Sequence, residues 1–317
     1  MHRLVSLRVP AAVLTLVLGA SGAAACSGDD GKPDIVVTTN ILGDVVTRLV
    51  GDTAEVRVLM KPNADPHSFG ISAKEAGEVE NADLVVANGL GLEEGLGSIL
   101  DNARSEGVEV LEVGELVDPL YYTAGADSDG GSGGTGAAKD PHFWTDPARM
   151  VKATGIIEDK LTIELSGDQA DRVREAASSY RGELEQLDAE VAELLGSVPE
   201  DDRKLVTNHH VFGYLADRFN YRVIGAVIPG GTTLASPSAA DLRDLSTTIR
   251  DNHVPAIFAD SSQPQRLAEV LAQEAGVDVE VVPLFSESLT EPDGEAGNYI
   301  GMQRTNAERI ADALMPR

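Results

Sequence analysis

Short apolar strands alternate with helices of about ten residues along most of this chain, and this alternation limits the fold more than any other feature. A first series of strands is predicted at residues 35–38, 55–60, 84–87 and 108–113. A second series is predicted at residues 204–207, 221–227, 256–259 and 279–284. Strands that alternate with helices favour parallel sheets covered by helices. We therefore predict an α/β protein of two similar lobes, an N-terminal lobe over 34–165 and a C-terminal lobe over 197–317.

A single long helix is predicted between the lobes, at residues 166–196. Seven apolar residues from Val173 to Leu194 follow one another in steps of three and four, which places them on one narrow stripe. Ser166 is the expected N-cap, with Asp168 in the first turn. Such a helix would be about 45 Å long, enough to brace both lobes. The alternative is that the stripe forms a coiled-coil seam in a dimer.

The first 25 residues have the features of a secretory signal peptide. Arg3 and Arg8 precede an apolar stretch and three alanines, and the next residue, Cys26, is the only cysteine of the chain. This position predicts lipidation of Cys26, followed by a polar tether over 26–33. Ordinary secretion with an incidental cysteine is the alternative. We expect a monomer anchored by its N-terminal lipid to the outer face of the cell membrane.

The charge of the chain limits the partners that it can bind, and its composition predicts one flexible loop. The formal net charge of −27 makes nucleic acid an improbable partner and suits a solvated domain outside the cytoplasm. Residues 123–139 are rich in Gly, Ser and Asp, so we predict a flexible loop there.

Candidate metal ligands stand out because the triplet Asp-Pro-His occurs twice, at residues 65–67 and 140–142. The proline restricts the backbone around each histidine, so His67 and His142 are offered on shaped loops. A third histidine, His209, follows the predicted strand at 204–207. Neutral imidazole is the commonest protein ligand of transition metals. The pattern therefore predicts a metal site built from distant loops.

Four strings around these residues resemble those of the metal-specific solute-binding proteins of bacterial zinc and manganese ABC importers. The strings are Pro-His-Ser-Phe at 66–69, Asp-Pro-His-Phe-Trp-Thr-Asp-Pro at 140–147, His-His-Val-Phe-Gly-Tyr at 209–214 and Ser-Glu-Ser-Leu at 286–289. The resemblance extends from about residue 34 to residue 314. It implies two α/β lobes joined by one long helix with the metal between them, and delivery of that metal to an ABC permease and its ATPase. It also implies the ligand set His67, His142, His209 and Glu287, where Glu287 replaces the family's usual aspartate.

Three imidazoles and one carboxylate suit tetrahedral zinc, whereas manganese prefers more oxygen ligands. Zinc is therefore the expected metal and manganese the alternative, with Asp260 as a reserve oxygen ligand. Affinity is expected to fall as the pH drops through the histidine range. Asp65, Asp140 and Asp146 either orient imidazoles or cap turns.

A site closed by four protein ligands favours transport over catalysis. A secreted zinc hydrolase with Glu287 as general base is the alternative from another class, although no His-Glu-x-x-His string is present. A surface adhesin ranks last.

Overall fold

Eight strands and nine α-helices follow one another in the part of the chain that the computed structural model describes, residues 32–122, 138–275 and 279–316. The strands are β1 (Asp34–Val37), β2 (Glu55–Val58), β3 (Leu84–Ala87), β4 (Glu109–Glu112), β5 (Lys204–Thr207), β6 (Arg222–Ala226), β7 (Ala256–Asp260) and β8 (Glu280–Leu284). The α-helices are α1 (Asn40–Val50), α2 (Ala73–Glu80), α3 (Gly97–Ser105), α4 (Pro147–Glu164), α5 (Asp168–Gly196), α6 (Gly213–Phe219), α7 (Ala239–Asp251), α8 (Arg266–Ala275) and α9 (Tyr299–Leu314).

The strands form two four-stranded sheets with the same topology. The first has the order β2-β1-β3-β4 and the second the order β6-β5-β7-β8, and every neighbouring pair is parallel. In each sheet the first strand in sequence is central, so the chain leaves it to one side and then crosses back to the other. The predicted fold class, two similar parallel α/β lobes, is confirmed.

Both faces of the inner strands are covered, which explains why β1, β3, β5 and β7 are mostly apolar and buried. Successive side chains of a strand point to opposite faces. In β1, Ile35 and Val37 enter a large core shared with α1, α4, α5 and α9, whereas Val36 faces a smaller core under α2 and α3. In β7, Phe258 enters the same large core and Ile257 a separate one under α7 and α8. The two lobes are therefore joined by one continuous core, and each also has an outer core of its own.

The linking helix α5 has 29 residues, which gives a length of about 43 Å. It packs against α1 and α4 of the first lobe and against α6 and α9 of the second. Its buried stripe ends at Leu195, not at the predicted Leu194, and it is filled by the chain's own helices. The interpretation of this stripe as a coiled-coil seam was therefore wrong.

The predicted start of α5 was also wrong. The N-cap is Gly167, with φ at +56°, and no side chain caps the helix there. This left-handed conformation favours glycine, so the chain turns at Gly167 and Ser166 lies outside the helix.

Helix α4 is the main element that the sequence analysis missed. Asp146 accepts a hydrogen bond from the main-chain N–H of Ala148, and Pro147 occupies the first helical position. α4 packs along α5 and also contacts α1, so it supports the linking helix from the side of the first lobe.

Two sequence predictions lie outside the described residues. They are the signal peptide with Cys26, and residues 123–137 of the predicted loop over 123–139. At the end of that range, Lys139 forms an isolated antiparallel bridge with Tyr121. Among the described residues, no helix combines the length and the apolar character needed to span a membrane.

Candidate metal centre

The four predicted ligands come from separate loops, three of them at carboxyl ends of strands. His67 lies in the loop after β2, His209 lies two residues after β5, and Glu287 lies three residues after β8. His142 directly precedes the short 3-10 turn that leads into α4. Carboxyl ends of parallel strands are where α/β proteins form their clefts. The fold brings all four side chains together there.

The spacing of the donor atoms fits one small cation. Nε2 of His142 lies 3.4 Å from Nε2 of His67 and 3.4 Å from Nε2 of His209. Oε1 of Glu287 lies 3.1 Å from Nε2 of His209, and Oε2 lies 3.8 Å from Nε2 of His67. One donor atom from each residue lies within 4.8 Å of all the others. Ligands bound at about 2.0–2.1 Å around a tetrahedral ion are separated by about 3.3–3.4 Å, so these distances suit zinc.

The donor atoms are buried and lack other partners. The side chains of His142 and His209 are fully inaccessible to solvent, and those of His67 and Glu287 nearly so. Among the described residues, neither carboxylate oxygen of Glu287 accepts a hydrogen bond. A buried carboxylate without a partner is costly unless a cation lies beside it. The donor set therefore fits a divalent metal ion.

The electrostatics of the cluster also favour a cation. Burial raises the pKa of Glu287 well above its ordinary value, and the nearby acids Asp260, Asp65 and Asp140 raise it further. Burial lowers the pKa values of all three histidines. The imidazoles are therefore neutral at pH 7, with lone pairs free for coordination, while an ionised Glu287 requires a nearby positive charge.

The orientation of His142 is fixed by Asp140, which lies two residues earlier in the chain. Oδ1 of Asp140 accepts the main-chain N–H of His142 at 2.9 Å and lies 2.7 Å from its Nδ1. Burial raises the pKa of Asp140 to about 7. In its ionised form the carboxylate only accepts, so Nδ1 of His142 then carries the proton and Nε2 is left for a metal. The hydroxyl of Tyr214 donates to the main-chain oxygen of Asp140 at 2.7 Å and holds this loop from behind. Asp140 therefore both orients an imidazole and caps a turn.

The other two aspartates accept main-chain hydrogen bonds at turns. Oδ1 of Asp65 accepts the main-chain N–H of His67 at 2.9 Å and so fixes the turn that carries this histidine. Asp146 caps α4. The carboxylate of Glu94 lies 3.6 Å from the imidazole Nδ1 of His67.

Glu287 is held in place by hydrogen bonds to the residues on either side of it. The indole Nε1 of Trp144 donates to the main-chain oxygen of Ser286 at 2.9 Å. Nδ2 of Asn40 donates to the hydroxyl of Ser288 at 2.8 Å. Both donors belong to the first lobe, so the first lobe positions the Glu287 side chain, which the second lobe supplies. Trp144 also makes an edge contact with the His142 ring, with 5.3 Å between centroids.

Asp260 is not a member of the four-residue cluster. Its carboxylate accepts hydrogen bonds from the hydroxyl of Ser286 and from the main-chain N–H of Ser262, the latter at 2.7 Å. Asp260 therefore supports the loop that carries Glu287. It does not take the place of Glu287 as the oxygen ligand, which was the reserve role predicted for it. The hydrogen bond from Asn40 to Ser288 could not be predicted from the sequence, because 248 residues separate the two.

His209 and not His210 enters the cluster, in agreement with the choice that the family resemblance implied. The main-chain oxygen of His209 accepts the Thr207 hydroxyl at 2.6 Å, which fixes the loop at the end of β5. His210 is half-buried, and its main-chain N–H donates to the oxygen of Gly230 at 3.0 Å.

Two parallel-sheet lobes joined through a long helix, with a buried donor cluster at the strand ends, are the architecture of a two-lobed binding protein. Residues 35–313 match the family model described as zinc-uptake complex component A, periplasmic (ZnuA). The chain belongs to this family, and the resemblance identified from the histidine strings is confirmed.

Curated relatives of the chain are metal-binding proteins of several bacteria. The zinc-binding lipoprotein AdcA of Streptococcus pneumoniae is 32% identical over 295 residues, which cover 90% of this chain but 57% of AdcA. The chain thus spans little more than half of that relative. The zinc-binding protein TroA of Treponema pallidum is 30% identical over 304 residues, covering 95% of this chain and 93% of TroA. The manganese-binding lipoprotein MntA of Halalkalibacterium halodurans is 24% identical over 304 residues, covering 95% of this chain and 96% of MntA.

A solved structure of the periplasmic zinc-binding protein TroA from Treponema pallidum superposes on this chain with a TM-score of 0.81. The match covers 90% of this chain and 100% of TroA at 29% sequence identity. The similarity therefore extends over both lobes and the helix between them.

Proposed function

We propose that this protein captures a divalent transition metal, zinc above all, outside the cytoplasm and delivers it to an ABC import permease. The observation that carries the proposal is the buried cluster of His67, His142, His209 and Glu287, in which the carboxylate has no hydrogen-bond donor among the described residues. Membership of a zinc-uptake family and the zinc-binding relatives support the same conclusion.

Zinc is the proposed metal because the four donors are three imidazole nitrogens and one carboxylate oxygen. Manganese, which the relative MntA is named for binding, favours sites with more oxygen. The 3.4 Å separations between Nε2 atoms also match the edge of a tetrahedron around zinc, about 3.3–3.4 Å for bonds of about 2.0–2.1 Å.

The role is transport rather than catalysis. Four protein ligands complete a tetrahedral shell, and a catalytic zinc needs an open position for water. Glu287 lies among the donors with its oxygens turned toward the histidines, so it acts as a ligand and not as a general base.

The remaining parts of the chain have roles that follow from export. Residues 1–25 direct secretion, Cys26 carries the lipid, and residues 26–33 tether a monomeric binding domain to the outer face of the membrane. The lobes over 34–165 and 197–317 close on the metal by a small rotation, because the helix over 166–196 shares one core with both.

The experiment is uptake of radioactive zinc into cells that lack the gene for this protein and carry either the wild-type gene or a variant. We expect wild type and His210→Ala to restore uptake and His209→Ala to leave it at the level of the deletion. The paired variants change adjacent histidines, of which one lies in the cluster. Uptake that does not depend on the gene, or that His209→Ala restores fully, would contradict the proposed function.

A further inference from the structure

Asp65 links the first lobe to two loops of the second lobe beside the metal site. Its Oδ1 accepts the main-chain N–H of His67, as described above. Its Oδ2 accepts the hydroxyl of Thr233 at 2.6 Å and the side-chain amide of Gln263 at 2.8 Å, as well as the nearby Ser68 hydroxyl at 3.0 Å. Thr233 and Gln263 lie 168 and 198 residues further along the chain. One buried carboxylate therefore joins the turn of a candidate ligand to the opposite lobe.

The segment that carries Thr233, residues 229–234, touches the first lobe at two further points. The hydroxyl of Thr232 donates to Oε1 of Glu94 at 2.6 Å, and the hydroxyl of Tyr122 donates to the main-chain oxygen of Gly231 at 3.4 Å. A side chain at residue 231 would overlap the Tyr122 ring, so glycine permits this close approach. Glu94 and Tyr122 in turn lie 3.6 Å and 3.4 Å from the Nδ1 atoms of His67 and His142. The segment thus covers the outward side of two candidate ligands.

Polar contacts rather than apolar packing hold this segment down. Within the segment only Gly230, which has no side chain, is buried, and Leu234 is 55% exposed. A segment without buried side chains opens at low cost once its hydrogen bonds break. The contacts with the first lobe therefore control whether it stays closed.

We propose that Asp65, Thr233 and Gln263 form a latch between the lobes that sets the rate at which bound metal is released. The proposal rests on the proposed function. Thr233 and Gln263 lie outside the donor cluster, so they act as positioning residues. With the latch formed, the His67 turn and segment 229–234 move together. When the latch breaks, the segment can leave the site and the metal has a path to solvent.

The test is stopped-flow release of zinc from the full soluble domain into an excess of a chromogenic chelator, using Thr233→Val and Thr233→Ser as a matched pair. Valine keeps the shape of threonine and removes the hydroxyl, whereas serine keeps the hydroxyl. Loss of a hydrogen bond to a carboxylate is expected to raise the release rate about tenfold in Thr233→Val, with Thr233→Ser within about twofold of wild type. Gln263→Met is expected to act in the same direction.

Two further measurements separate a latch from a merely structural role. Thermal unfolding of the metal-free variants is expected to match wild type, and the association rate is expected to change far less than the release rate. Asp65→Ala combined with Thr233→Val should release zinc no faster than Asp65→Ala alone, because Asp65→Ala already removes the acceptor of the Thr233 hydroxyl.

The outcomes distinguish the latch from the function. Wild-type protein that binds zinc and loses it at the same rate in Thr233→Val, Thr233→Ser and Gln263→Met contradicts the latch alone. Wild-type protein that binds no zinc contradicts the proposed function and, with it, the latch.

Discussion

Replacement of Glu287 by glutamine separates a metal ligand from an ordinary buried acid. The substitution keeps the size and shape of the side chain and removes its negative charge. In the structure this charge faces three neutral imidazoles and lies in a fully buried site. If the cluster binds a cation, Glu287→Gln weakens binding. If Glu287 has only a structural role, the variant changes stability and nothing else.

The size of the loss in zinc affinity follows from the burial of the Glu287 carboxylate and the metal ion beside it. Removing one member of a buried, oppositely charged pair costs about 3–5 kcal/mol, which corresponds to a rise in Kd of roughly 10²- to 10⁴-fold. The metal-free protein should respond in the opposite direction, because a buried amide costs less than an unpaired buried carboxylate.

The sign of the pH dependence in the metal-free protein provides an independent check. The pKa of Glu287 in the folded protein lies well above the unfolded value of 4.5, mainly through burial. The contribution of the carboxyl to stability is therefore fully present below pH 4.5 and is lost as the pH rises through the folded pKa. The stability advantage of Glu287→Gln over wild type should grow from pH 5 to pH 8.

The assay is calorimetric titration with zinc, together with thermal unfolding of the metal-free proteins at pH 5 and pH 8. We expect a much weaker variant that is at least as stable as wild type at pH 8. Unchanged zinc affinity with a lower midpoint of unfolding at pH 8 would mean that Glu287 is a structural acid and not a metal ligand.

Three further predictions follow from the site and the core. Zinc affinity should fall by up to tenfold per pH unit as the pH drops from 8 to 5, because zinc must displace the proton of Glu287. Glu287→Gln should flatten this dependence, and an unchanged slope in titrations of the variant would contradict the role of the Glu287 proton. Asp140→Asn should raise the Kd by about 10- to 100-fold through loss of the fixed His142 tautomer, measured by chelator competition, and a Kd within twofold of wild type would remove Asp140 as the orienting group. Leu184→Ala, in the fully buried stripe of α5, should lower the free energy of unfolding by about 2–5 kcal/mol in urea denaturation while wild-type zinc stoichiometry is retained; a loss below about 1 kcal/mol would mean that this stripe is loosely packed.

The pH prediction differs from the one that the sequence supports. The histidine content suggested that protons would compete for the imidazoles near pH 6.5. Burial lowers the pKa values of His67, His142 and His209, so the competing proton moves to the carboxylate of Glu287. This shift depends on how deeply the groups lie in the folded protein, which no local string of residues encodes.

The parallel sheets were predictable because their strands are short, apolar runs between helical segments, as in residues 35–38 and 256–259. The candidate ligands were predictable because the Asp-Pro-His triplets and the four strings are local features. Helix α4 was also predictable, since Asp146-Pro147 is a helix-start signal. These two residues were interpreted only as the end of the metal-binding string at 140–147.

Contacts between distant segments were not predictable. The hydrogen bond from Asn40 to Ser288 and the bonds from Thr233 and Gln263 to Asp65 join residues more than 150 positions apart. Nothing in the residues around each partner identifies the other, and only the folded chain brings them together. The start of α5 failed for a different reason, because Ser166 is a good N-cap by type while the backbone at Gly167 sets the turn.

Binding of one zinc ion by His67, His142, His209 and Glu287 can be measured by native mass spectrometry of the soluble domain from residue 27. The domain is offered equimolar zinc and manganese, with His142→Ala and His210→Ala alongside. We predict one zinc per chain in wild type and in His210→Ala, and none in His142→Ala. Manganese in place of zinc would contradict the choice of metal, and a wild-type domain without bound metal would contradict the site itself.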